Sequence, residues 1–235
     1  MNIYSSLSSD DKQDFNLAVF LNATDEHLQG EITEFYEFKT EEELRSLALD
    51  QAKLGHYTEA IALFDRLISL SPNNPNDYNN RGLVYFRSGD IHRSVVDYNQ
   101  ALSLNSGLSS AYNNRGNYYA ACGKLNTALA DYDKALDLNP RYVRAWINRA
   151  ITLRDIKEYL EAIENLETAL FFGSKPAEVF AQRGRTFHLW GDWNFAIADY
   201  RRALLELSLL GSKSAQTHLQ RQVENWLQDL VCYPN

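Results

Sequence analysis

Arginine and aspartate recur at a separation of sixteen residues, and this is the clearest sign of side-chain chemistry in the chain. The residues at this separation are Arg81 with Asp97, Arg115 with Asp131, Arg183 with Asp199, Arg149 with Asn165, and Leu47 with Leu63. Because the two residue types change together, we predict that each arginine donates charge-assisted hydrogen bonds to its partner. Ion pairs of this kind occur in structural networks as well as in functional sites, and we interpret them as structural.

Residues that carry out catalysis or bind metal ions are dispersed along the chain. The histidines are His27, His56, His92, His188 and His218, and the two cysteines, Cys122 and Cys232, lie far apart in the sequence. The sequence contains no CxxC, HExxH or GxSxG motif and no phosphate-binding Gly-rich loop. It therefore predicts a protein that is not an enzyme and that holds no metal ion and no cofactor.

The elements that position these residues repeat with one fixed period. The segment NDYNNRGLVYFRSGD at 76–90 matches SAYNNRGNYYAACGK at 110–124, and the same offset continues in both directions. The repeat frames are 41–74, 75–108, 109–142, 143–176 and 177–210, without insertion or deletion. Apolar residues recur three or four positions apart in each half of a frame, which predicts two amphipathic helices per repeat. The five frames leave no stretch for a catalytic domain.

Each repeat is predicted to form a helical hairpin. Glycine stands at position 15 of four frames (Gly55, Gly89, Gly123 and Gly191), with Lys157 as the exception. Glycine enters the left-handed turn between two helices without steric cost. Small residues at position 8 and large ones at position 24 lie equally far from this turn, so each ring should pack over a small residue. One hairpin cannot cover its own apolar face, and we therefore expect the hairpins to stack.

The full pattern resembles the tetratricopeptide-repeat (TPR) family. It has an aromatic residue at position 4, a small one at 8, Tyr at 11, Ala at 20, Tyr at 24, Ala at 27 and Pro at 32. The Asn-Asn-Arg-Gly segment is similar to that of bacterial TPR proteins of the Asn-Arg-Gly type. The resemblance covers residues 41–210 and implies an all-α fold, a right-handed superhelical solenoid of five helical hairpins that acts as an interaction or assembly module. Within the C-terminal segment 211–235, apolar residues on one face predict a capping helix.

By analogy with the family, the first helix of each repeat lines a concave partner-binding groove. The predicted groove residues are Asn79, Asn80, Leu83, Phe86, Arg87, Asn113, Asn114, Asn117, Arg144, Ile147, Asn148, Ile151, Arg154, Arg185 and His188, with Arg45 and Lys53 as further cations. Asparagine amides bond both polar groups of an extended peptide backbone, and arginines favour acidic ligands, so we expect a peptide or an acidic protein as the partner. The alternative is that these charged helix faces are simply solvated.

Charge and hydropathy limit the remaining function classes. The 235-residue chain has a formal net charge of −8, which disfavours nucleic acid as a partner. Runs of about 18 apolar residues are absent, so we expect no membrane span and a cytoplasmic protein. The sequence favours an adaptor or assembly factor. The alternative is a regulatory subunit that controls an enzyme or a transcription factor through the same groove, and the oligomeric state stays open.

The N-terminal segment, residues 1–40, carries most of the negative charge. It has eight acidic and two basic residues, a net charge of −6, and we expect it to be partly helical. Three interpretations stand: the segment caps the first repeat, contacts a partner, or occupies the groove as a tethered acidic gate.

Overall fold

The computed structural model describes residues 40–173, 176–209 and 214–232. Within these ranges the chain forms eleven α-helices and no strand. The helices are α1 (Glu41–Leu54), α2 (Tyr57–Leu70), α3 (Pro75–Ser88), α4 (Ile91–Leu104), α5 (Ser109–Ala121), α6 (Leu125–Leu138), α7 (Val143–Asp155), α8 (Tyr159–Phe171), α9 (Pro176–Trp190), α10 (Trp193–Leu209) and α11 (Ser214–Cys232). The acidic N-terminal segment, with its interpretations as cap, contact surface or gate, lies outside the described residues apart from Thr40.

Local signals explain where the first helices begin. Thr40 caps α1, because its hydroxyl accepts a hydrogen bond from the Glu43 amide at 3.3 Å and its own amide donates to the Glu43 carboxylate at 2.8 Å. Pro75 opens α3 at a position where a helix has no use for an amide hydrogen, and the Asn74 side chain accepts a bond from the Asn76 amide. Both helices are therefore fixed at their start by the linker before them.

The turn residue of every hairpin has the left-handed conformation that the sequence predicts. The φ angles of Gly55, Gly89, Gly123 and Gly191 lie between 73° and 94°. Lys157 takes the same role in the fourth hairpin with a φ of 68°, although a side chain makes this region costly. The turn geometry is thus kept even where glycine is missing.

Replacing Lys157 by glycine is expected to raise the free energy of unfolding by about 1 kcal/mol, because the strain between Cβ and the backbone disappears. Gly123 provides the reverse control. It has a φ of 73°, and no atom lies within 4 Å of an added Cβ, so Gly123→Lys should lower the free energy of unfolding by a similar amount. Urea unfolding measures both changes, and equal midpoints for wild type and Lys157→Gly would contradict the strain.

The two helices of a hairpin approach closely at the small residue of position 8. In three hairpins an added Cβ would lie 2.6 to 2.8 Å from a tyrosine ring carbon; the pairs are Gly82 with Tyr98, Gly116 with Tyr132, and Gly184 with Tyr200. The other two hairpins pair alanine with a side chain that lacks a hydroxyl, Ala48 with Phe64 and Ala150 with Leu166, all buried. The predicted packing of a large side chain over a small one is confirmed.

The helices fall into two compact units, with the boundary between Ser106 and Gly107. In the first unit, α1 and α2 form a core that includes Leu44 and Phe64 and packs against α3. In the second unit, successive hairpins stack in chain order, and α11 buries Val223 against the last hairpin. The prediction of an all-α solenoid of five hairpins with a C-terminal capping helix is therefore confirmed.

Candidate partner-binding face

The arginine pairs fix the first helix of a repeat to its second helix. Arg183 donates from Nε and Nη2 to the two Asp199 oxygens at 2.7 and 2.9 Å, and Asp199 is 2% exposed. The other bidentate pairs, at 2.7 to 2.8 Å, are Arg81 with Asp97 and Arg115 with Asp131. The hydrogen bond to Asp199 raises the pKa of Arg183 above its ordinary value, which outweighs the opposing effect of burial. The predicted pairs are confirmed.

A second acidic partner was not predicted from the sequence. Arg81 donates to Asp65 at 2.6 Å, Arg149 to Asp133 at 2.7 Å, and Arg183 to Glu167 at 3.5 Å. Each of these acids lies sixteen residues before its arginine, on the second helix of the preceding hairpin. We call these arginines and their acidic partners on both sides the arginine ladder. The three arginines each join two hairpins.

Arg149 compensates for its neutral partner. Asn165 accepts one hydrogen bond from Arg149 Nη1 at 3.0 Å, and a Glu161 oxygen lies 2.9 Å from the same nitrogen. Glu161 stands one turn before Asn165 on α8, so the carboxylate is displaced along the helix rather than lost. The arginine ladder is a structural device, and it leaves the predicted groove positions of the first helices to other residues.

We define the first-helix face of a unit as its predicted groove residues. In the second unit an amide network on this face joins α5 and α7: Asn148 Nδ2 donates to Asn113 Oδ1 at 2.9 Å, and Asn113 Nδ2 donates to Asn114 Oδ1 at 3.2 Å. Asn113 and Asn114 are buried, whereas Asn117 and Asn148 are partly exposed. Asn117 accepts a bond from the Tyr132 hydroxyl at 2.8 Å. The buried amides hold the two first helices side by side.

Tyr98 lacks the hydrogen bond that Tyr132 makes. Within the described residues its buried hydroxyl has no partner, and burial raises the pKa of this phenol. Tyr98→Phe is therefore expected to leave the free energy of unfolding unchanged or to raise it by up to about 1 kcal/mol, whereas Tyr132→Phe should lower it by about 1 kcal/mol. Urea unfolding compares the two variants, and an equal loss at both positions would show that the Tyr98 hydroxyl has a partner.

The apolar and exposed members of this face differ in their surroundings. Ile147 is 1% exposed and belongs to the core that α7 forms with its neighbours, so it packs inside the core and is not accessible to a partner. Ile151 is partly buried against the same core, and Arg144 is exposed. Among the predicted groove residues of α7, Arg144 is therefore exposed, Asn148, Ile151 and Arg154 are partly exposed, and Ile147 is buried.

Cationic side chains lie at the other end of the same face. His188 Nδ1 is 3.2 Å from Arg185 Nη1 and 3.2 Å from the Tyr200 hydroxyl. The Arg185 guanidinium lies over the Trp226 ring of α11, 5.2 Å from its centre. Burial lowers the pKa of His188, and the charge of Arg185 lowers it further. The charged form of His188 is therefore disfavoured relative to that of an ordinary histidine, and it joins the cations as the pH falls.

In the first unit an unpredicted acid neutralises one predicted cation. Arg45 donates from Nε and Nη2 to the Asp77 carboxylate at 2.6 and 2.9 Å, and Asp77 is 0% exposed. Of the other predicted residues of this unit, Asn79 is buried, Asn80, Leu83 and Phe86 are partly buried, and Arg87 and Lys53 are exposed. Arg45 thus joins α1 to α3 and is not available as a ligand-binding charge.

In the part of the chain that the structure describes, no three His, Cys, Asp or Glu side chains are grouped as metal ligands would be. Of the described helices, none combines the length and the apolar composition that a membrane span requires. Two cavities of about 360 and 410 Å³ lie at the turn between α9 and α10 and beside Arg149. Neither cavity is lined by a predicted groove residue.

Comparison with known proteins finds the same repeat. Family models described as tetratricopeptide repeat match residues 78–107, 109–142 and 131–164, and one described as TPR repeat matches residues 51–89. The TPR repeat-containing thioredoxin TTL4 of Arabidopsis thaliana is 38% identical over 61 residues, which are 26% of this chain. The match spans 9% of that protein, and its thioredoxin activity is therefore no guide to this chain.

Solved structures share the fold at low sequence identity. TTC0263, a thermophilic TPR protein of Thermus thermophilus, has a TM-score of 0.71 and 21% identity, covering 80% of this chain and 99% of that one. A tetratricopeptide repeat protein of Parabacteroides merdae has a TM-score of 0.59 and 19% identity, covering 82% and 75%. MamA has a TM-score of 0.56 and 18% identity, covering 67% and 92%. These identities support the fold alone, whereas the repeat models show that residues 51–107 and 109–164 of the chain consist of tetratricopeptide repeats.

Proposed function

We propose that this protein is a non-enzymatic adaptor or assembly factor that binds a peptide or protein segment on its first-helix faces. TPR repeats generally mediate protein–protein interactions, which supports this class of function. The observation that carries the proposal is the arrangement of amide and guanidinium groups on α5, α7 and α9 of the second unit. Asn148 bonds to Asn113, and Arg154 bonds to Gln182 at 2.8 Å, so the three first helices are neighbours.

The chemistry of this face suits an extended segment. Asn117 and Asn148 are partly exposed, and an amide group both donates to backbone carbonyls and accepts from backbone amides. Ile151 adds apolar surface between them and the cations of α9. Because Asn113 and Asn114 are buried and bonded, the helices that carry these groups are positioned before a ligand arrives, which lowers the entropy cost of binding.

An acidic segment is the partner that we favour. Arg144, Arg154 and Arg185 place positive charge on the face of a protein whose net charge is −8. The same overall charge disfavours nucleic acid, because binding to phosphates requires a surplus of basic residues. We assign the protein to the cytoplasm as part of the proposal, since Cys122 is a free and exposed thiol of the kind that a reducing compartment preserves.

Site-specific photo-cross-linking tests the proposal. A photoreactive amino acid at Asn117 or Ile151 in the full chain should cross-link to a defined set of proteins in the cell of origin. The same amino acid at Leu160, which is 62% exposed on the second helix α8, is the matched control. Equal cross-linking from Leu160, or none from the first-helix positions, would contradict the proposal. The partner's identity separates an assembly factor, which binds structural components, from a regulatory subunit, which binds an enzyme or transcription factor.

A further inference from the structure

Arg154 is nearly buried and lacks a close acidic partner. Its side chain is 12% exposed, and its Nε is buried without a hydrogen-bond partner among the described residues. The Asp155 carboxylate lies 3.9 Å from this Nε, beyond hydrogen-bond distance, and the Asp155 side chain is 54% exposed. Nη1 donates to the neutral Gln182. A guanidinium that has left water for one long ion pair to an exposed carboxylate destabilises the folded state.

A second guanidinium increases this cost. Burial lowers the pKa of Arg154, the Asp155 carboxylate opposes this shift, and the positive charge of Arg185 on the neighbouring helix lowers the pKa further. Burial raises the pKa of the Tyr200 hydroxyl. Both arginines oppose this shift, because their positive charge stabilises the phenolate. His188 Nδ1 lies 3.2 Å from the same hydroxyl. Side chains of α7 and α9 therefore act on one hydroxyl group of α10. We call these side chains the Arg154 cluster: Arg154, Arg185, His188 and Tyr200.

The equivalent place in the third repeat shows that the fold does not require these cations. There the Tyr132 hydroxyl bonds to the neutral Asn117, which stands at the repeat position of Arg185. Ala120 stands at the repeat position of His188, and Phe86, one repeat earlier, stands at that of Arg154. The same backbone geometry is therefore built with neutral side chains, and the positive charge of the Arg154 cluster is an addition to the repeat.

We infer that the Arg154 cluster is a subsite for one carboxylate group of an acidic partner segment. The inference rests on the proposed function and locates its charge recognition. The Arg154 and Arg185 guanidinium groups donate charge-assisted hydrogen bonds to the carboxylate oxygens, and the bound anion relieves the repulsion between the two arginines. The nearby negative charges are the carboxylates of Asp155 on α7 and Asp229 on α11. Asp229 raises the pKa of His188. The two carboxylates disfavour a dianionic phosphate more than a ligand carboxylate, which carries a single charge.

Titration of the full chain with synthetic peptides, followed by ¹H–¹⁵N spectra of the arginine Nε–H groups, tests this subsite. One probe is an amidated peptide with a single central Asp, a second has a free terminal carboxylate and no acidic side chain, and the control is amidated with Asn in place of Asp. We expect saturable shifts of the Arg154 and Arg185 signals with either carboxylate probe, and the better of the two identifies the carboxylate as side-chain or terminal. No shift with either, equal shifts with the Asn peptide, or stronger competition by inorganic phosphate than by acetate would overturn the inference.

Substitutions separate binding from folding. Arg185→Gln is expected to weaken binding of the carboxylate probe by about tenfold or more, whereas Arg201→Gln, an exposed control on the second helix α10, should change its affinity by about twofold or less. Arg154→Met should abolish binding and at the same time raise the urea midpoint, because a buried charge with only a distant counter-ion is removed. Equal weakening by Arg185→Gln and Arg201→Gln, or a lower midpoint for Arg154→Met, would contradict the subsite.

The photo-cross-link at Ile151 distinguishes this inference from the proposed function. If wild type and Arg185→Gln cross-link to the same partner with equal yield, the Arg154 cluster does not bind the acidic group of the partner, although the adaptor function stands. If wild type forms no cross-link from any first-helix position, the proposed function itself fails. We expect a cross-link in wild type that Arg185→Gln weakens by about tenfold at limiting partner concentration.

Discussion

Replacing Arg183 by leucine is expected to lower the free energy of unfolding by about 3 to 5 kcal/mol. Asp199, 2% exposed, would lose two hydrogen bonds of 2.7 and 2.9 Å and remain as a buried carboxylate without a partner. Arg202 cannot replace the lost guanidinium, because it lies 3.9 Å from Asp199 and its side chain is 61% exposed. Urea unfolding followed by circular dichroism measures the change.

The matched control removes both members of the pair. Arg183→Leu with Asp199→Leu imitates the first hairpin, where Leu47 and Leu63 occupy the two positions and Leu63 is 3% exposed. The double variant should recover more than half of the stability that the single variant loses, since no charge is left unpaired. If the losses from the two single substitutions simply add, the pair is not coupled and the interpretation is wrong.

Gly116→Ala is expected to lower the free energy of unfolding by about 1 to 3 kcal/mol. Within a helix this substitution ordinarily stabilises by up to about 1 kcal/mol, so the predicted sign is reversed. The added Cβ would lie 2.6 Å from Tyr132 Cε1 and 2.8 Å from Cδ1. The ring is 1% exposed and its hydroxyl is bonded to Asn117, which fixes it in place. Thermal unfolding detects the loss as a lower Tm.

A second substitution shows whether the anchored ring is the cause. Gly116→Ala with Tyr132→Phe reproduces the first hairpin, where Ala48 packs with Phe64 and both are 0% exposed. Without the hydroxyl bond the ring is freer to shift away from the alanine methyl. We expect the double variant to be more stable than Gly116→Ala alone. An unchanged or further reduced Tm would mean that the surrounding core, and not the hydroxyl, holds the ring.

The features that the sequence predicts correctly are those that one hairpin determines by itself. The left-handed turn at Gly89, the ring of Tyr132 over Gly116 and the bond from Arg115 to Asp131 all follow from spacing within one repeat. The bonds from Arg45 to Asp77 and from Arg81 to Asp65 join different hairpins. The spacing within one repeat does not pair these acids with their arginines, because each pair forms only when two hairpins stack.

Groove positions are the least predictable from sequence. Repeat numbering places Asn113, Asn117 and Ile147 on the same helix face, but it does not say how deep each one lies. Asn113 is 0% exposed because the neighbouring first helix covers it, and Ile147 is 1% exposed for the same kind of reason. The lack of a hydrogen-bond partner at Arg154 Nε among the described residues is equally unpredictable from the sequence, since it depends on which side chains of the adjacent helix lie near it.

The arginine ladder also limits how a chain of this kind can change its length. Arg183 bonds to an acid sixteen residues before it and to another sixteen residues after it, a pattern with translational symmetry. Excision of residues 143–176 would bring Asp133 to the register that Glu167 now holds, and Arg183 would find an acid there again. A deletion shorter or longer than this one repeat would misplace that acid. This whole module can therefore be lost in evolution without removing the acid before Arg183, whereas a part of it cannot.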